Sequence, residues 1–170
     1  MQLRRATASD APALAQVHVA AWHVAYQGLV PVTYLENFTL QKREAAFRAA
    51  IAAGTEETYL AVENGRAVGI LTIGASRDAD LDVHTCGEIW GIYLLPTEWR
   101  RGLGKALVQE AERILRDRGS QKIVLWVLEG NTAARAFYTA MGFCPDGATK
   151  LVTLGIPIQA VRYAKEYPLT

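Results

Sequence analysis

The chain has 170 residues, 51 % of them hydrophobic and 21 % charged, the balance of a soluble globular protein with one domain spanning residues 1–170. A formal net charge of +1 creates no field that would draw it to nucleic acid or to an anionic membrane. The longest apolar runs, such as Ile123 to Leu128, have the length of strands and not of membrane spans.

The opening MQLRRATASD holds two arginines but no apolar run behind them, so no secretory signal is expected there and the cytoplasm is the expected compartment. Cys86 and Cys144 have no metal-ligand or redox spacing and read as two reduced, buried thiols. His18, His23 and His84 form no metal set, because histidines five apart on a helix do not share a face. No metal is expected.

Residues 2–6 read as a first strand. Ser9 or Asp10 can cap a helix on which Leu14, Val17, His18, Ala21, Trp22 and Ala25 keep helical spacing. Gly28 and Pro31 interrupt it; a short helix follows over 34–38 and another over 41–53, closed by Gly54. The period then changes to that of strands. Residues 58–63 and 67–73 flank Asn64-Gly65, a pair suited to a type I′ hairpin turn. After the polar loop SRDADLDVHT comes a strand over 87–95, then a basic turn and a helix over 103–118 on one apolar stripe, stopped by Gly119. Residues 122–128 read as a buried strand, a short helix runs from Asn131 to Gly142, and strands near 147–154 and 158–166 pair around Gly155-Ile156-Pro157. The sum is an α/β (α+β) protein: a mixed sheet of six or seven strands flanked by about four helices.

The basic turn Arg100-Arg101-Gly102-Leu103-Gly104-Lys105 is not a P-loop, whose spacing it lacks, nor a dinucleotide fingerprint, since Leu107 stands where a third glycine would. What remains is a turn whose glycines let backbone approach a ligand, at the positive end of a helix, with three cations nearby. A solvated helix start would look the same. Upstream, Glu88 sits in an apolar strand, alternating with Trp90 and Ile92, where burial requires a purpose or a partner. Downstream, Tyr138 shares a helix face with Asn131, two turns away. An anion anchor with a carboxylate on one side and a phenol on the other points to an enzyme that uses a phosphorylated carrier.

These residues resemble the GNAT superfamily of acetyl-CoA-dependent N-acetyltransferases. Trp99-Arg100-Arg101-Gly102-Leu103-Gly104, with Pro96 upstream, is similar to the family's pyrophosphate motif, Gln/Arg-x-x-Gly-x-Gly/Ala, with Trp99 departing at its first position. Asn131, Ala134, Phe137, Tyr138, Gly142 and Phe143 match a second family signature in the correct order. The resemblance implies a sheet splayed between its fourth and fifth strands, with acetyl-CoA inserted as co-substrate. It implies that backbone groups of Ile92, Tyr93 and Leu94 pair with the pantetheine arm, that Arg100, Arg101, Gly102, Leu103, Gly104 and Lys105 hold the phosphates, and that Asn131 belongs to the same site.

By the same resemblance Tyr138 protonates the departing thiolate, a role open to a phenol, whose ordinary pKa is about 10. The bland alternative is packing beside Phe137 and Met141. Glu88 matches the general base of some members; otherwise it is a strand-end carboxylate that is solvated or paired with an arginine. The pattern of Trp22, Tyr26, Gly28, Leu29 and Pro31 resembles a bacterial subgroup that includes polyamine acetyltransferases, or is a packing device at a helix exit. Asp78, Asp80 and Asp82 form either an acidic rim for cationic amines or an ordinary solvated loop. Acetylation of a small amine is the expected activity, with modification of a protein lysine or N-terminus, or a non-catalytic acyl-CoA-binding module, as alternatives. A homodimer is a plausible assembly for the family.

Overall fold

The computed structural model describes residues 1–167. Strands β1 (Gln2–Arg5), β2 (Glu57–Glu63), β3 (Arg66–Ala75), β4 (Cys86–Leu94), β5 (Lys122–Leu128), β6 (Cys144–Leu154) and β7 (Ile156–Glu166) form one sheet in the order β1-β2-β3-β4-β5-β7-β6. Every neighbouring pair is antiparallel except β4 and β5, which run parallel through the connection made by a helix. Five α-helices accompany the sheet among the described residues, one for each helical segment read in chain order: α1 (Ala11–Ala25), α2 (Val32–Glu36), α3 (Leu40–Ala53), α4 (Leu103–Asp117) and α5 (Thr132–Ala140). No helix among the described residues is long and apolar enough to cross a membrane.

Local chemistry explains most boundaries. Asn64 and Gly65 both take positive φ, 51° and 75°, as the β2–β3 turn requires. The α2 helix begins two residues before its expected start, because the Pro31 carbonyl accepts from Tyr34 and Leu35 and so launches the helix directly after the proline. Thr39 caps α3 by accepting from the Lys42 amide, and Gly54 ends it in the left-handed region.

The sheet separates two cores. Leu107, Val108, Ala111 and Leu115 of α4 pack on Leu71, Ile73, Ile89, Ile123 and Leu125, with Phe137 and Tyr138 of α5 beside them. On the opposite face Leu14 and Val17 of α1 and Phe47 of α3 bury Leu60 and Ile70. Each fully buried leucine or isoleucine contributes roughly 1.5–3 kcal/mol.

Two irregularities matter more than the regular ladder. In β4, Thr72 pairs with Gly91 and Ile73 with Ile89, so Trp90 has no partner on β3. This bulge corrects the expected alternation: Ile89 and Ile92 both face α4, and Glu88 does not share a face with Ile92. In β6 the register jumps between Pro145 and Thr149 opposite Arg162. The bulged segment turns Asp146 onto that arginine, Nε to Oδ2 2.7 Å. Arg162 is 5 % exposed and also donates to Asp78 (3.1 Å) and Asp80 (2.8 and 2.7 Å), tying the loop before β4 to the far side of the sheet. Of the two expected buried thiols only Cys86 is buried; Cys144 lies exposed at the start of the edge strand β6.

Beneath α1, His18 is enclosed by the rings of Trp22, Phe38, Phe47 and Tyr93 at centroid distances of 5.8, 5.1, 5.3 and 4.3 Å. Neither ring nitrogen has a hydrogen-bond partner among the described residues. Burial, reinforced by the Arg43 cation, lowers its pKa to about 3, so the imidazole stays neutral in the folded protein. The unfolded chain protonates near pH 6.5 and the native one does not, so stability is present above that pH and lost as acid is added. Urea unfolding should therefore show wild-type stability falling by about 2 kcal/mol more than that of His18→Leu between pH 7 and pH 5. Equal pH slopes for the two proteins would contradict a neutral, enclosed imidazole.

Candidate active site

The pairing of β4 with β5 runs from Cys86↔Lys122 to Ile89↔Leu125 and stops there. Past that point Gly91–Leu94 continues to pair only with β3, and Trp126–Leu128 only with β7. The sheet thus opens as a wedge, leaving one edge of Ile92, Tyr93 and Leu94 without a neighbouring strand. This is the splay expected between strands four and five.

At the α4 mouth of the wedge, Arg100 (φ 62°) and Gly102 (φ 82°) turn the chain into α4, with Gly102 as N-cap. None of the amides from Arg100 to Lys105 donates to a backbone carbonyl among the described residues, which leaves a donor-rich helix start. Gly104 has a packing role: a Cβ there would meet Phe137 Cζ at 3.2 Å, so the small residue lets α5 approach α4. The three cations of the turn are not equivalent. Arg101 is engaged by Glu98 and, at 3.1 Å, by Glu63, whereas Arg100 and Lys105 are exposed with no ion-pair partner among the described residues. Trp99, the departure from the family motif, donates its indole N–H to the Leu94 carbonyl at 3.0 Å and so ties the turn to the end of β4. A cleft of about 620 Å³ also opens beside the turn, lined by Leu3, Tyr59, Arg101 and Ile114, but neither Glu88 nor Tyr138 borders it.

Asn131 caps α5, its Oδ1 accepting from the Ala134 amide at 3.1 Å. This fixes the helix that carries Tyr138. The Tyr138 ring lies 5.1 Å from Phe137 and 6.2 Å from Phe143 by centroid, so it is packed as well as placed. Burial pushes its pKa up, and Tyr93 adds to the effect; Tyr26 is raised in the same way, with Tyr93 and Tyr138 among the causes. These phenols therefore stay protonated at neutral pH.

Glu88 is 1 % exposed. Arg77 holds both of its oxygens: the backbone amide donates to Oε2 at 2.9 Å, Nη2 to Oε1 at 2.5 Å and Nε to Oε1 at 3.2 Å. The arginine pairing weighed from the sequence is therefore real, and Arg77 itself is held over the face of Trp90 at 4.3 Å. Of the three loop carboxylates, Asp78 and Asp80 bind Arg162, while Asp82 stays exposed and accepts from the His84 amide. Trp22 is a packing residue, stacked on Phe38 at 4.3 Å and 16°.

Sequence reading missed Arg77, Trp126, Lys150 and Arg162. The Trp126 indole donates to Asp78 at 2.9 Å, and the Lys150 ammonium sits 3.9 Å above its ring. One signal was available for Arg162: it lies between Ala160 and Ala164 on alternate positions of a strand, a charged side chain on a face of small residues.

Comparisons with known proteins agree with this geometry. An uncharacterized N-acetyltransferase, YuaI of Bacillus subtilis, is 29 % identical over 139 residues, covering 81 % of this chain and 77 % of that protein. A spermidine N(1)-acetyltransferase of Thermoplasma acidophilum is 25 % identical over 152 residues, covering 84 % and 88 %. The crystal structure of the PaiA N-acetyltransferase from Thermoplasma acidophilum with coenzyme A shares the fold at TM-score 0.74 and 21 % identity, over 98 % of both chains. The acetyltransferase (GNAT) family matches residues 21–143, and with the wedge and the donor-rich turn in place the chain belongs to that family.

Proposed function

We propose that this protein moves the acetyl group of acetyl-CoA to the primary amine of a small molecule, by direct attack in a ternary complex. The observation that carries the reading is the parting of two parallel strands beside a donor-rich helix start, with Tyr138 of α5 packed against the same α4 core. The open edge of Ile92, Tyr93 and Leu94 offers the pantetheine arm a strand-like partner. The amides and cations around Gly102 supply what a diphosphate and a ribose phosphate require. A relative that acetylates spermidine, by its name, supports a small amine as acceptor.

In the proposed reaction the amine nitrogen attacks the thioester carbonyl carbon. Backbone amides near Ile92, in a stretch where the Trp90 bulge interrupts the β3 ladder, stabilise the oxyanion. The carbon–sulfur bond then breaks, and the Tyr138 hydroxyl gives its proton to the leaving thiolate. Before attack the acceptor's ammonium loses its proton through water to Glu88, because Arg77 donors occupy both carboxylate oxygens, and the free amine is the nucleophile.

The turn's charges yield a first test. Arg100→Gln should weaken acetyl-CoA binding by roughly tenfold in calorimetry, whereas Arg101→Gln should change it by less than about threefold, because Glu98 and Glu63 already hold Arg101. The reverse order would move the phosphate site to the other side of the turn.

Tyr138→Phe should lower kcat by roughly 10²–10⁴-fold while acetyl-CoA affinity stays nearly constant. An acid works only while protonated, and burial raises this phenol above the usual value near 10. Any loss of rate from its ionisation therefore falls above about pH 10. A Tyr138-dependent decline in kcat at pH 8–9 would remove it from the acid role.

For Glu88→Gln the expected loss is about 10²-fold at pH 7, with kcat/KM rising with pH as the acceptor frees its own amine. A wild-type pH profile in this variant would leave Glu88 as a structural partner of Arg77 alone.

A further inference from the structure

Register places Glu88, Trp126, Lys150 and Arg162 on one face of the sheet at the mouth of the wedge. Glu88 pairs with Val124, two residues before Trp126; Trp126 pairs with Arg162; and Lys150 pairs with Ala160, two residues from Arg162. Trp126 is the first residue of β5 beyond the last contact with β4.

The carboxylates on this face are engaged by protein donors. Glu88 is held by Arg77, Asp78 by Trp126 and Arg162, Asp80 by Arg162, and Asp146 by Arg162 and the Ala148 amide. Two cations are not so occupied. Lys150 makes no hydrogen bond among the described residues; its nearest carboxylate oxygen there, on Asp78, is 3.9 Å away, and its side chain keeps 40 % of its surface. Arg77 uses its backbone amide, Nε and Nη2 on Glu88 and leaves Nη1 without a partner among the described residues. Asp78, the carboxylate nearest to Lys150, directly follows Arg77 in the chain, which brings the two cations to the same corner of the face.

We infer that Lys150 and Arg77 form a subsite for a carboxylate on the acceptor, so that the substrate is an amine carrying an anionic group, of the amino-acid class, and not a polyamine. The inference rests on the acetyl-transfer reading above. A partly desolvated ammonium with open donors favours an anion and disfavours a second ammonium beside it. The Trp126 face, which could have received a cationic acceptor, already carries Lys150. A substrate without the anion leaves these donors unanswered, which is a strong basis for discrimination.

The test uses thiol release from acetyl-CoA with L-amino acids, each paired with its carboxamide, and with spermidine and putrescine. Wild-type enzyme should favour the free acid over its amide by at least about tenfold in kcat/KM. Lys150→Met should raise KM for the acid by about 10–100-fold, leave the amide unchanged and retain acetyl-CoA binding in calorimetry, and Lys150→Arg should restore much of the preference. The inference is overturned if acids are no better than amides, if spermidine exceeds them, or if Lys150→Met affects both members of a pair alike. Failure of acetyl-CoA to bind the wild-type protein would instead overturn the acetyl-transfer reading itself.

Discussion

Everything distinctive about this fold follows from four paired residues. Four residues of β4 meet four of β5, and then the two strands separate. Parallel strands that diverge leave backbone donors and acceptors in a region otherwise flanked by apolar side chains, and such groups are costly when nothing answers them. The wedge is therefore a binding device by construction. It is kept open because each strand is held from its other side: β4 by seven pairs with β3, and β5 by seven with β7. The α4 core bridges the two half-sheets, burying Leu71, Ile73 and Ile89 on one side of the split and Ile123 and Leu125 on the other, so α4 holds them together at their paired end.

Charge does the remaining positional work. The loop 76–85 joins β3 to β4 and has no regular structure of its own. One buried guanidinium on β7, gripping Asp78, Asp80 and Asp146, fastens it across the sheet. Removing one member of such a buried network leaves the others unpaired, so the loop is committed to its place. That placement carries Arg77 onto Glu88 and brings the Asp78 oxygen to the Trp126 indole. Of this acidic loop, Asp78 is the carboxylate turned inward, between Arg162 and the Trp126 indole.

The fold was legible because its signals were local. Asn64-Gly65 specified a hairpin, Gly54 and Gly119 marked helix ends, and the apolar stripe of α4 had one period throughout. The family motifs lay within the stretch from Trp99 to Phe143, where order and spacing could be read directly. What stayed hidden was long-range or irregular. Arg162 meets Asp78 across 84 positions and Asp80 across 82, and no local pattern encodes such a pairing. The Trp90 bulge adds one residue to β4, and a single insertion reverses the face of whatever follows it. Strict alternation therefore put Glu88 and Ile92 on one side when the strand had already turned between them.

A relative's name and this chain's own charges point to different acceptors, and the local chemistry is the better guide to the difference. The relative named a spermidine N(1)-acetyltransferase is 25 % identical over 152 residues, and its name speaks for its own acceptor. Recognition of a polyamine calls for carboxylates with open oxygens at amine spacing. Here Glu88, Asp78, Asp80 and Asp146 are all bound to protein donors, and the tryptophan faces at the wedge are covered by Arg77 and Lys150. A polycation entering this space would displace those ion pairs before gaining any of its own. An anion would meet donors that are already oriented, with little left to reorganise.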